Sequence, residues 1–423
     1  MILANGALLP DSQLPALLER LEGELTHTLS TRSLTAEVVI DAIDALGQRL
    51  DRGKLDSLIA QYAPPGTMDA LEQVRPMLTR EALEYKLTAE LGPDWAVSKS
   101  RPFGEAVFAP LGVLFHIAAG NVGGLPVFTA VEGLLTGNIN LVKLPREDKG
   151  LSLAVLLELV RTQPQLAPFL YAFDLPSSST AALSKLAALA DGMVTWGGDG
   201  AVQAVRAMAP PGCKLVEWGH RLSFAYLTEY ENHLEELAAL AGHIIATGGL
   251  LCSSCQVIFL DTGGLDEAAD FCRAFLPLLN SAAARRRAAP GLAAQAALYA
   301  HETLLEQIVD RRDFGDQVFS GVGCSLVLRR DRELELSPLN GNVLVKALPR
   351  RELIPALRRQ RGRLQTAGLI CAPEERAELT ALLTRAGVNR ITRAGSMSHT
   401  FLGEGHDGEY PLRRYVRIVD MEI

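Results

Sequence analysis

The sequence predicts an α/β fold, in which short buried strands alternate with helices after a helical N-terminal region. Three observations carry that prediction: a globular composition, a change in the apolar period near residue 101, and turn residues after each short apolar run. The chain has 423 residues, 48% of them hydrophobic and 21% charged, which allows about two to three domains. Strands that alternate with helices are typical of a parallel sheet with crossover helices.

The elements follow in order along the chain. Residues 12–95 have a helical period, because apolar positions such as Leu14, Leu17 and Leu21 keep to one face. Residues 101–112 alternate and contain turn residues, which predicts a hairpin or an arm. The strand–loop–helix–strand succession that comes next spans residues 113–118, 120–124, 126–135 and 139–143.

Later strands end beside glycines or a carboxylate. The predicted strand Gly192–Trp196 leads into Gly197-Gly198-Asp199-Gly200 and a helix, and a second strand ends at Glu217. The loops at 120–124 and 197–200 let a backbone approach a ligand, although neither has the Gly-x-Gly-x-x-Gly spacing, and an ordinary turn explains them equally well. Residues 414–420 alternate like a terminal strand.

Composition excludes several classes of function. The net charge of −8 argues against a nucleic-acid partner. No apolar run reaches the roughly 18 residues that span a bilayer, and the first residues lack a signal-peptide pattern, so a cytoplasmic protein is expected. The six cysteines are expected to be free thiols, and one isolated Cys-x-x-Cys pair without histidine partners predicts no metal site.

Cys252 is the first candidate for chemistry. It follows a helix and the Gly248-Gly249 break, and it precedes an apolar strand. A thiol at such a junction is suited to act as a nucleophile in a cleft, whereas the alternative is a small buried hydrophobe. Cys255 competes with it for the nucleophilic role.

Glu217 is the second candidate. A carboxylate at the end of a strand is suited to general base catalysis if partial burial raises its pKa. The alternative is a surface glutamate at the edge of a sheet.

Taken in this order, the segments resemble the aldehyde dehydrogenase superfamily. Asn140-Leu-Val-Lys143 is similar to its Val-Leu-Lys-Pro type segment, Thr195-Trp-Gly197-Gly198 to its Thr-Gly-Ser loop, and Val216-Glu217-Trp-Gly219 to its Leu-Glu-Leu-Gly motif. The LuxC-type acyl-CoA reductase branch is a closer match. Its Cys-Ser-Ser-Pro-Gln segment resembles Cys252-Ser-Ser-Cys-Gln256, and its tail resembles residues 387–422, including His406-Asp407-Gly408.

The resemblance covers about residues 100–423 and implies roles for individual residues. Cys252 matches the nucleophile, Glu217 the general base, and Asn121 the asparagine whose amide binds the oxyanion. Lys143 matches the lysine near the adenosine ribose. Arg146 stands where many NAD-preferring members carry glutamate, and it could pair with a 2′-phosphate, which favours NADPH while leaving NADH possible. Further cofactor contacts are expected at His116, Ala118, Thr195, Gly197, Gly198, Trp218, Gly219 and Asn340.

The resemblance also implies an architecture. We expect a helical region at 1–100 that packs on the cofactor domain, a Rossmann-type cofactor domain at 101–222 with an oligomerisation arm at 101–112, an α/β catalytic thiol domain at 223–394, and a C-terminal arm or strand at 395–423. A homo-oligomer is expected as well.

The implied activity is NADPH-dependent reduction of an acyl thioester to an aldehyde through an acyl-cysteine. The donor would be acyl-CoA, an acyl carrier protein or an acyl-protein, and an acyl-protein synthetase or acyl carrier protein is a possible partner. Two alternatives remain open: NAD(P)-dependent oxidation of an aldehyde to the acid, and a non-catalytic subunit that binds an acyl carrier.

Overall fold

The computed structural model describes residues 1–62, 75–102, 104–120, 123–285, 297–299, 301–302, 305 and 316–422. The chain forms two compact units. The first comprises Met1–Gly219 and Thr400–Ile423, and the second comprises His220–His399. The domain boundaries predicted at 222/223 and 394/395 remain predictions.

Most strands are short, as in other α/β proteins. Those of the first unit are β1 (Ile2–Ala4), β2 (Ala7–Leu9), β3 (Lys99–Arg101), β4 (Gly104–Pro110), β5 (Val113–Ile117), β6 (Ile139–Lys143), β7 (Leu170–Phe173), β8 (Gly192–Trp196), β9 (Lys214–Trp218) and β17 (Val416–Met421). Those of the second are β10 (Leu222–Leu227), β11 (Cys255–Leu260), β12 (Gln317–Ser320), β13 (Ser325–Arg329), β14 (Asn342–Ala347), β15 (Leu364–Ile370) and β16 (Arg390–Arg393).

The helices of the first unit are α1 (Leu14–Thr31), α2 (Ala36–Asp51), α3 (Asp56–Tyr62), α4 (Arg80–Leu91), α5 (Leu125–Leu135), α6 (Leu151–Thr162), α7 (Thr180–Ala188), α8 (Asp199–Met208) and α13 (Pro411–Arg414). The helices of the second are α9 (Leu234–Thr247), α10 (Leu265–Arg285), α11 (Leu353–Leu357) and α12 (Arg376–Ala386). Within the part of the chain that the structure describes, no helix is both long and apolar enough to cross a membrane.

The first unit is built on a seven-stranded sheet in the order β2-β1-β7-β6-β5-β8-β9. The strands β7, β6, β5, β8 and β9 run parallel, and all five residues of β6 are buried, as expected for a sheet covered on both faces. The N-terminal hairpin β1–β2 extends the sheet antiparallel to β7. The sequence analysis assigned no strand to these residues, although Ile2 and Leu3 are fully buried.

A separate three-stranded sheet, in the order β17-β4-β3, contains the predicted arm. β4 pairs antiparallel with β17, so that Phe108 lies opposite Ile418. The alternation at 101–112 and at 414–420 therefore belongs to strands that pair with each other, and β3 completes the hairpin.

The second unit is built on another seven-stranded sheet, in the order β12-β13-β14-β11-β10-β15-β16. Every neighbouring pair in it is parallel except β12–β13. The central strands β10 and β11 are buried along their whole length. β11 begins three residues after Cys252, so the sheet fixes one end of the segment that carries this thiol.

One group of charges is buried in the first unit. The Lys86 ammonium contacts the carboxylates of Glu90 and Glu132, and the side chains of all three are at most 4% exposed. Glu90 also accepts a 2.8 Å hydrogen bond from the backbone N–H of Leu412, which ties the C-terminal segment to α4. Burial lowers the pKa of Lys86, but the two carboxylates outweigh that effect and leave the pKa above its usual value.

Candidate functional site

Two consecutive glycines shape the turn that carries Cys252. Helix α9 ends at Thr247 and is capped by Gly248, with φ of 57°, and Gly249 follows with φ of 80°. Both values lie in the left-handed region, which glycine adopts without a steric penalty. The chain therefore reverses sharply between α9 and β11 and leaves Cys252 on the turn.

Neutral hydrogen bonds hold this turn from several directions. Ser223 on β10 donates its hydroxyl to the carbonyl of Cys252 at 2.7 Å. The backbone N–H of Leu251 donates to Ser254 Oγ at 2.9 Å, and Gln256 Nε2 donates to the carbonyl of Gly249 at 2.9 Å. The backbone on both sides of the thiol is thus fixed.

The turn that contains Asn340 is joined to the same segment. Ser337 donates its backbone N–H and its hydroxyl to Gln256 Oε1, at 3.0 and 2.7 Å. The backbone N–H of Asn340 donates to the carbonyl of Gly248 at 2.8 Å. The structure therefore brings together two sequence-predicted positions, Cys252 and Asn340.

The six cysteines all fall within the described residues, and Cys252 alone among them is exposed. Burial raises the pKa of Cys255 and of Cys272 to about 12, and that of Cys324 to about 11. Burial also raises the pKa of the two remaining thiols, Cys213 and Cys371. Because the thiolate is the nucleophilic form, the surroundings of these five cysteines oppose nucleophilic attack.

His243 supports the same segment from α9. Its Nε2 accepts the backbone N–H of Cys255 at 3.2 Å, which requires the neutral ring with Nε2 unprotonated. Burial, with a smaller effect of His399, lowers the pKa of His243 to about 4. His243 was not predicted from the sequence, and Gln256 was named only as the last residue of the Cys252–Gln256 motif.

Lys143 is the last residue of β6 in the first unit. Its side chain is largely buried, and Nζ donates to Ser177 Oγ at 3.3 Å. Burial lowers the pKa of Lys143, while the carboxylates of Glu147 and Asp174 oppose that shift. The ammonium thus lies near one hydroxyl and two acidic side chains.

Arg146 and Glu147 follow in a short 3₁₀ turn, and both are exposed. The Glu147 carboxylate lies against Gly120 and occupies the space that a Cβ would need at that glycine. The sequence analysis considered Arg146 and missed this carboxylate. Asn121 lies outside the described residues.

The ends of β8 and β9 carry most of the remaining candidates. Thr195 lies opposite Glu217 in the parallel register, and Trp196 lies opposite Trp218. Side chains that lie opposite each other point to the same face of the sheet, and successive side chains along a strand point to opposite faces. Glu217 therefore shares its face with Thr195, and the two tryptophans share the other face. Thr195 is fully buried.

The Glu217 carboxylate is bound by Arg206 of α8. Arg206 Nε donates to Oε1 at 2.6 Å and Nη2 donates to Oε2 at 2.7 Å, which is a bidentate ion pair. The Glu217 side chain is 22% exposed and that of Arg206 is 61% exposed. Sequence reasoning found the carboxylate but missed the guanidinium that binds it.

On the opposite face, Trp196 and Trp218 form an aromatic cluster with His406. The ring centroids of the two tryptophans are 5.5 Å apart, and the His406 ring lies 4.9 Å from each. The sequence analysis predicted a contact for Trp218 and omitted Trp196. His406 was recognised only as part of a tail motif.

Thr129 and His116 hold Trp196, one member of this cluster, through a chain of hydrogen bonds. Trp196 Nε1 donates to Thr129 Oγ1 at 3.3 Å, and that oxygen lies 2.8 Å from His116 Nδ1. His116 Nε2 lies 2.9 Å from Asn140 Oδ1, and burial lowers the pKa of this histidine to about 4. The neutral ring is fully buried, and both of its nitrogens contact protein atoms.

The remaining predicted positions are backbone positions. Gly197 donates its N–H to the carbonyl of Trp218 at 3.1 Å, and Gly219 directly follows that strand. Gly198 caps the N-terminus of α8, and a Cβ there would meet no atom within 4 Å. Ala118 is buried just after β5. No group of three or more metal-ligating side chains occurs among the residues described.

Comparison with solved structures identifies the fold. Methylmalonate-semialdehyde dehydrogenase (DddC) from Oceanimonas doudoroffii matches with a TM-score of 0.72 and 13% identity, over 99% of this chain and 97% of that one. A protein described as a methylmalonate-semialdehyde dehydrogenase from Sinorhizobium meliloti 1021, solved with NAD, matches with a TM-score of 0.70 and 12% identity, over 98% and 90% of the two chains. The predicted aldehyde dehydrogenase-like α/β fold is thereby confirmed.

The family follows from a sequence-level comparison. The family model for acyl-CoA reductase (LuxC) matches residues 32–418, and the chain therefore belongs to this family. No curated protein matches the sequence significantly. The predicted family and the predicted class of enzyme are confirmed: the protein is an oxidoreductase that acts on aldehyde or acyl groups.

Proposed function

We propose that this chain reduces an acyl thioester, with a fatty acyl group as the favoured substrate, to an aldehyde through an acyl-Cys252 intermediate and with NADPH as the reductant. The observation that carries the proposal is the contrast among the cysteines, since Cys252 alone is exposed while the other thiols have raised pKa values. Membership of the acyl-CoA reductase family supports the same activity.

Cys252 performs the acyl transfer. Its thiolate attacks the carbonyl carbon of the substrate, the bond to the original sulfur breaks, and the departing thiolate takes up a proton. The hydrogen bonds from Ser223 to the Cys252 carbonyl and from Leu251 to Ser254 keep the turn rigid during this exchange. The Cys252 N–H and the Asn121 amide would bind the oxyanion, and each such donor typically contributes about 3 kcal/mol.

The first unit offers groups that fit a nicotinamide dinucleotide. Lys143, Ser177 and Glu147 provide a cation, a hydroxyl and a carboxylate at the ends of parallel strands, which is where such cofactors bind in open sheets. Gly198 leaves open space at the N-terminus of α8, where an anion is favoured. A bound reduced nicotinamide supplies the hydride.

Glu217 handles the proton in this proposal. A carboxylate at the end of β9 accepts a proton from the thiol of Cys252 or returns one when the aldehyde leaves. Trp196, Trp218, Gly197 and Gly219 would line the nicotinamide side, with His116 and Thr129 holding Trp196 in place. The acyl donor would be CoA or a carrier protein, and the arm sheet would join copies of the chain.

The test compares Cys252→Ala with Cys255→Ala. With a panel of acyl-CoA substrates, we expect Cys252→Ala to abolish aldehyde formation and Cys255→Ala to keep most of it. Mass spectrometry of the intact protein without reductant should show one acyl adduct, and peptide mapping should place it on Cys252. Loss of activity only in Cys255→Ala, or an adduct on another residue, would refute the assignment.

An assay on the same purified protein distinguishes oxidation of an aldehyde to the acid from the proposed reduction. If the protein turns over aldehyde with NADP or NAD at the same rate with and without CoA, the oxidative reaction is the better description. A strict requirement for CoA supports the reductive assignment, since the acyl-enzyme then leaves by transfer to a thiol.

A further inference from the structure

The segment that leads into β15 is strongly basic, although the chain as a whole has a net charge of −8. Residues 350–363 contain six arginines and one glutamate. Arg350 pairs with three carboxylates, and Arg359 pairs with one glutamate. Arg361 and Arg363 are exposed in the turn directly before β15. This turn therefore presents positive charge to solvent on a protein that is acidic overall.

Arg221 adds a third guanidinium to the same turn. It directly precedes β10, and its Nη1 donates to the carbonyl of Gly362 at 3.0 Å. The backbone N–H of Leu222 donates to the carbonyl of Arg363 at 2.8 Å, which aligns the starts of β10 and β15. Arg221, Arg361 and Arg363 therefore lie together at the amino ends of two neighbouring parallel strands.

The same edge of this sheet carries Cys252. β11 runs parallel to β10 on the side away from β15, so the three strands begin at one edge. Ser223 Oγ accepts the backbone N–H of Thr366 in β15 at 3.0 Å and donates to the carbonyl of Cys252 at 2.7 Å. Neighbouring strands are about 4.8 Å apart, which places β15 about 10 Å from β11. The turn that carries the thiol and the three arginines are thus joined within the second unit.

The thioester donors of the proposed function share one charged group at a fixed distance from the sulfur. CoA and an acyl carrier protein both present that sulfur on a pantetheine arm, and the far end of the arm carries a phosphate. When extended, the arm is comparable to a peptide of four to five residues, roughly 15 Å. With its sulfur at Cys252, the arm is therefore long enough to bring the phosphate to the arginine side chains. Guanidinium groups bind phosphate through paired N–H donors.

We propose that Arg221, Arg361 and Arg363 form a subsite for the phosphate at the end of the pantetheine arm of the thioester donor. This inference rests on the proposed function, in which Cys252 attacks that thioester. The subsite binds and orients the donor, and no bond is made or broken there. It assigns recognition of the donor to the second unit, whereas the groups expected to hold the nicotinamide lie in the first.

The experiment combines substitutions in the subsite with substrates that differ by one phosphate. Full-length wild type, Arg361→Gln, Arg363→Gln and the double variant are mixed with decanoyl-phosphopantetheine or decanoyl-pantetheine without reductant. Intact-protein mass spectrometry gives the second-order rate constant for acylation. Arg221 is left in place, because its hydrogen bond to Gly362 helps to hold the turn.

Arg376→Gln is the matched control. Arg376 is also exposed and belongs to the second unit, but it begins α12, which follows the carboxyl end of β15. It therefore lies toward the opposite edge of the sheet from Cys252. Decanoyl-CoA and a decanoyl carrier protein are added to the series to distinguish the two sources of the phosphate. Melting temperatures verify that each variant is folded.

We expect wild type to react about tenfold faster with decanoyl-phosphopantetheine than with decanoyl-pantetheine, which is typical of charge-assisted contacts at a partly exposed site. The double variant should lose most of this difference and keep the wild-type rate with decanoyl-pantetheine, because that substrate has no phosphate to bind. Each single variant should lose part of it, and Arg376→Gln should match wild type. The natural donor is whichever of decanoyl-CoA and the carrier protein reacts more slowly with the double variant than with wild type.

Three results would overturn the inference. One is an equal rate for the two pantetheine substrates in wild type. Another is a folded double variant that keeps the full preference for the phosphate, and the third is one that slows equally with both substrates. If decanoyl-pantetheine still acylates Cys252 in these cases, the proposed function stands and only the subsite fails. If no thioester acylates the wild-type protein, the proposed function fails, and the inference fails with it.

Discussion

The Cys252 turn and the surroundings of Glu217 are built from different kinds of contact. Around Cys252, uncharged groups such as Ser223, Gln256 and Ser337 make the hydrogen bonds. Around Glu217, a full positive charge on Arg206 makes them. The contrast is local to these two places, since each unit also buries a lysine that pairs with two carboxylates, Lys86 in the first and Lys346 in the second.

The two kinds of contact respond differently to ionic strength. Hydrogen bonds between uncharged groups depend little on salt. The turn that bears the thiol is therefore expected to keep its geometry over a wide range of ionic strength. Ion pairs depend on the protonation of both partners and, where exposed, on ionic strength. We therefore expect the position of Cys252 to be independent of ionic strength and that of the Glu217 carboxylate to depend on it.

The largest expected effect comes from Lys86→Met. This change leaves Glu90 and Glu132 buried without their cation, and breaking a buried ion pair in this way typically costs about 3–5 kcal/mol. Chemical denaturation should report a loss of that size in the free energy of unfolding.

Lys346→Met in the second unit is the matched control. Lys346 is fully buried, but its partners Asp331 and Glu335 are 45% and 47% exposed, so water can solvate them when the ammonium is removed. The cost should be smaller than that of Lys86→Met. Equal costs would show that the exposure of the carboxylates does not decide the penalty.

The parts of the fold that were predictable are those that depend on neighbouring residues in the sequence. The strands β5, β6, β8 and β9 and the residues at their ends follow from apolar runs and the turn residues after them. Cys252 and Glu217 were also found in this way, with the family resemblance joining them. The predicted site roles remain predictions.

The parts that the sequence did not reveal depend on contacts between distant segments. The His406 ring contacts the Trp196 ring although the two residues are 210 positions apart in the sequence, and no local pattern in either segment indicates that pairing. In the sequence, Arg206 looks like an ordinary surface residue of a helix. Its contact with Glu217 depends on which face of the sheet the register of β9 gives to that carboxylate. The hairpin β1–β2 has strands of three residues, too short for a period of two to stand out.

The second prediction concerns pH and the neutral network. His243 has a pKa of about 4 in the folded chain, against 6.5 for the unperturbed side chain. Between these values the unfolded chain binds a proton that the folded chain does not, so the free energy of unfolding falls as the pH falls from 6.5 to 4. The loss from this residue should reach about 3 kcal/mol.

Replacing His243 with glutamine isolates that contribution. The amide oxygen of glutamine can accept the N–H of Cys255 without titrating, so the decline in stability between pH 6.5 and 4 should become shallower in His243→Gln. Denaturation at a series of pH values measures the slope. An unchanged slope would mean that the buried histidine does not control it. His116, with a pKa of about 4 in the first unit, should account for a similar share of the remainder.

The smallest expected effect concerns the choice between NADPH and NADH. The turn after β6 carries side chains of opposite charge, which would have opposite effects on that choice. In the proposed cofactor site, Arg146 would favour a 2′-phosphate, whereas Glu147 and Asp174 would repel one and could accept a ribose hydroxyl. Glu147→Gln should raise the ratio of kcat/KM for NADPH to that for NADH, and Arg146→Gln should lower it, each by about tenfold, or about 1.4 kcal/mol. A larger shift in Glu147→Gln, whose carboxylate lies against Gly120, would mean that the carboxylate controls the preference and that NADH is the natural reductant. A larger shift in Arg146→Gln would support NADPH, and no shift in either variant would remove this turn from the cofactor site.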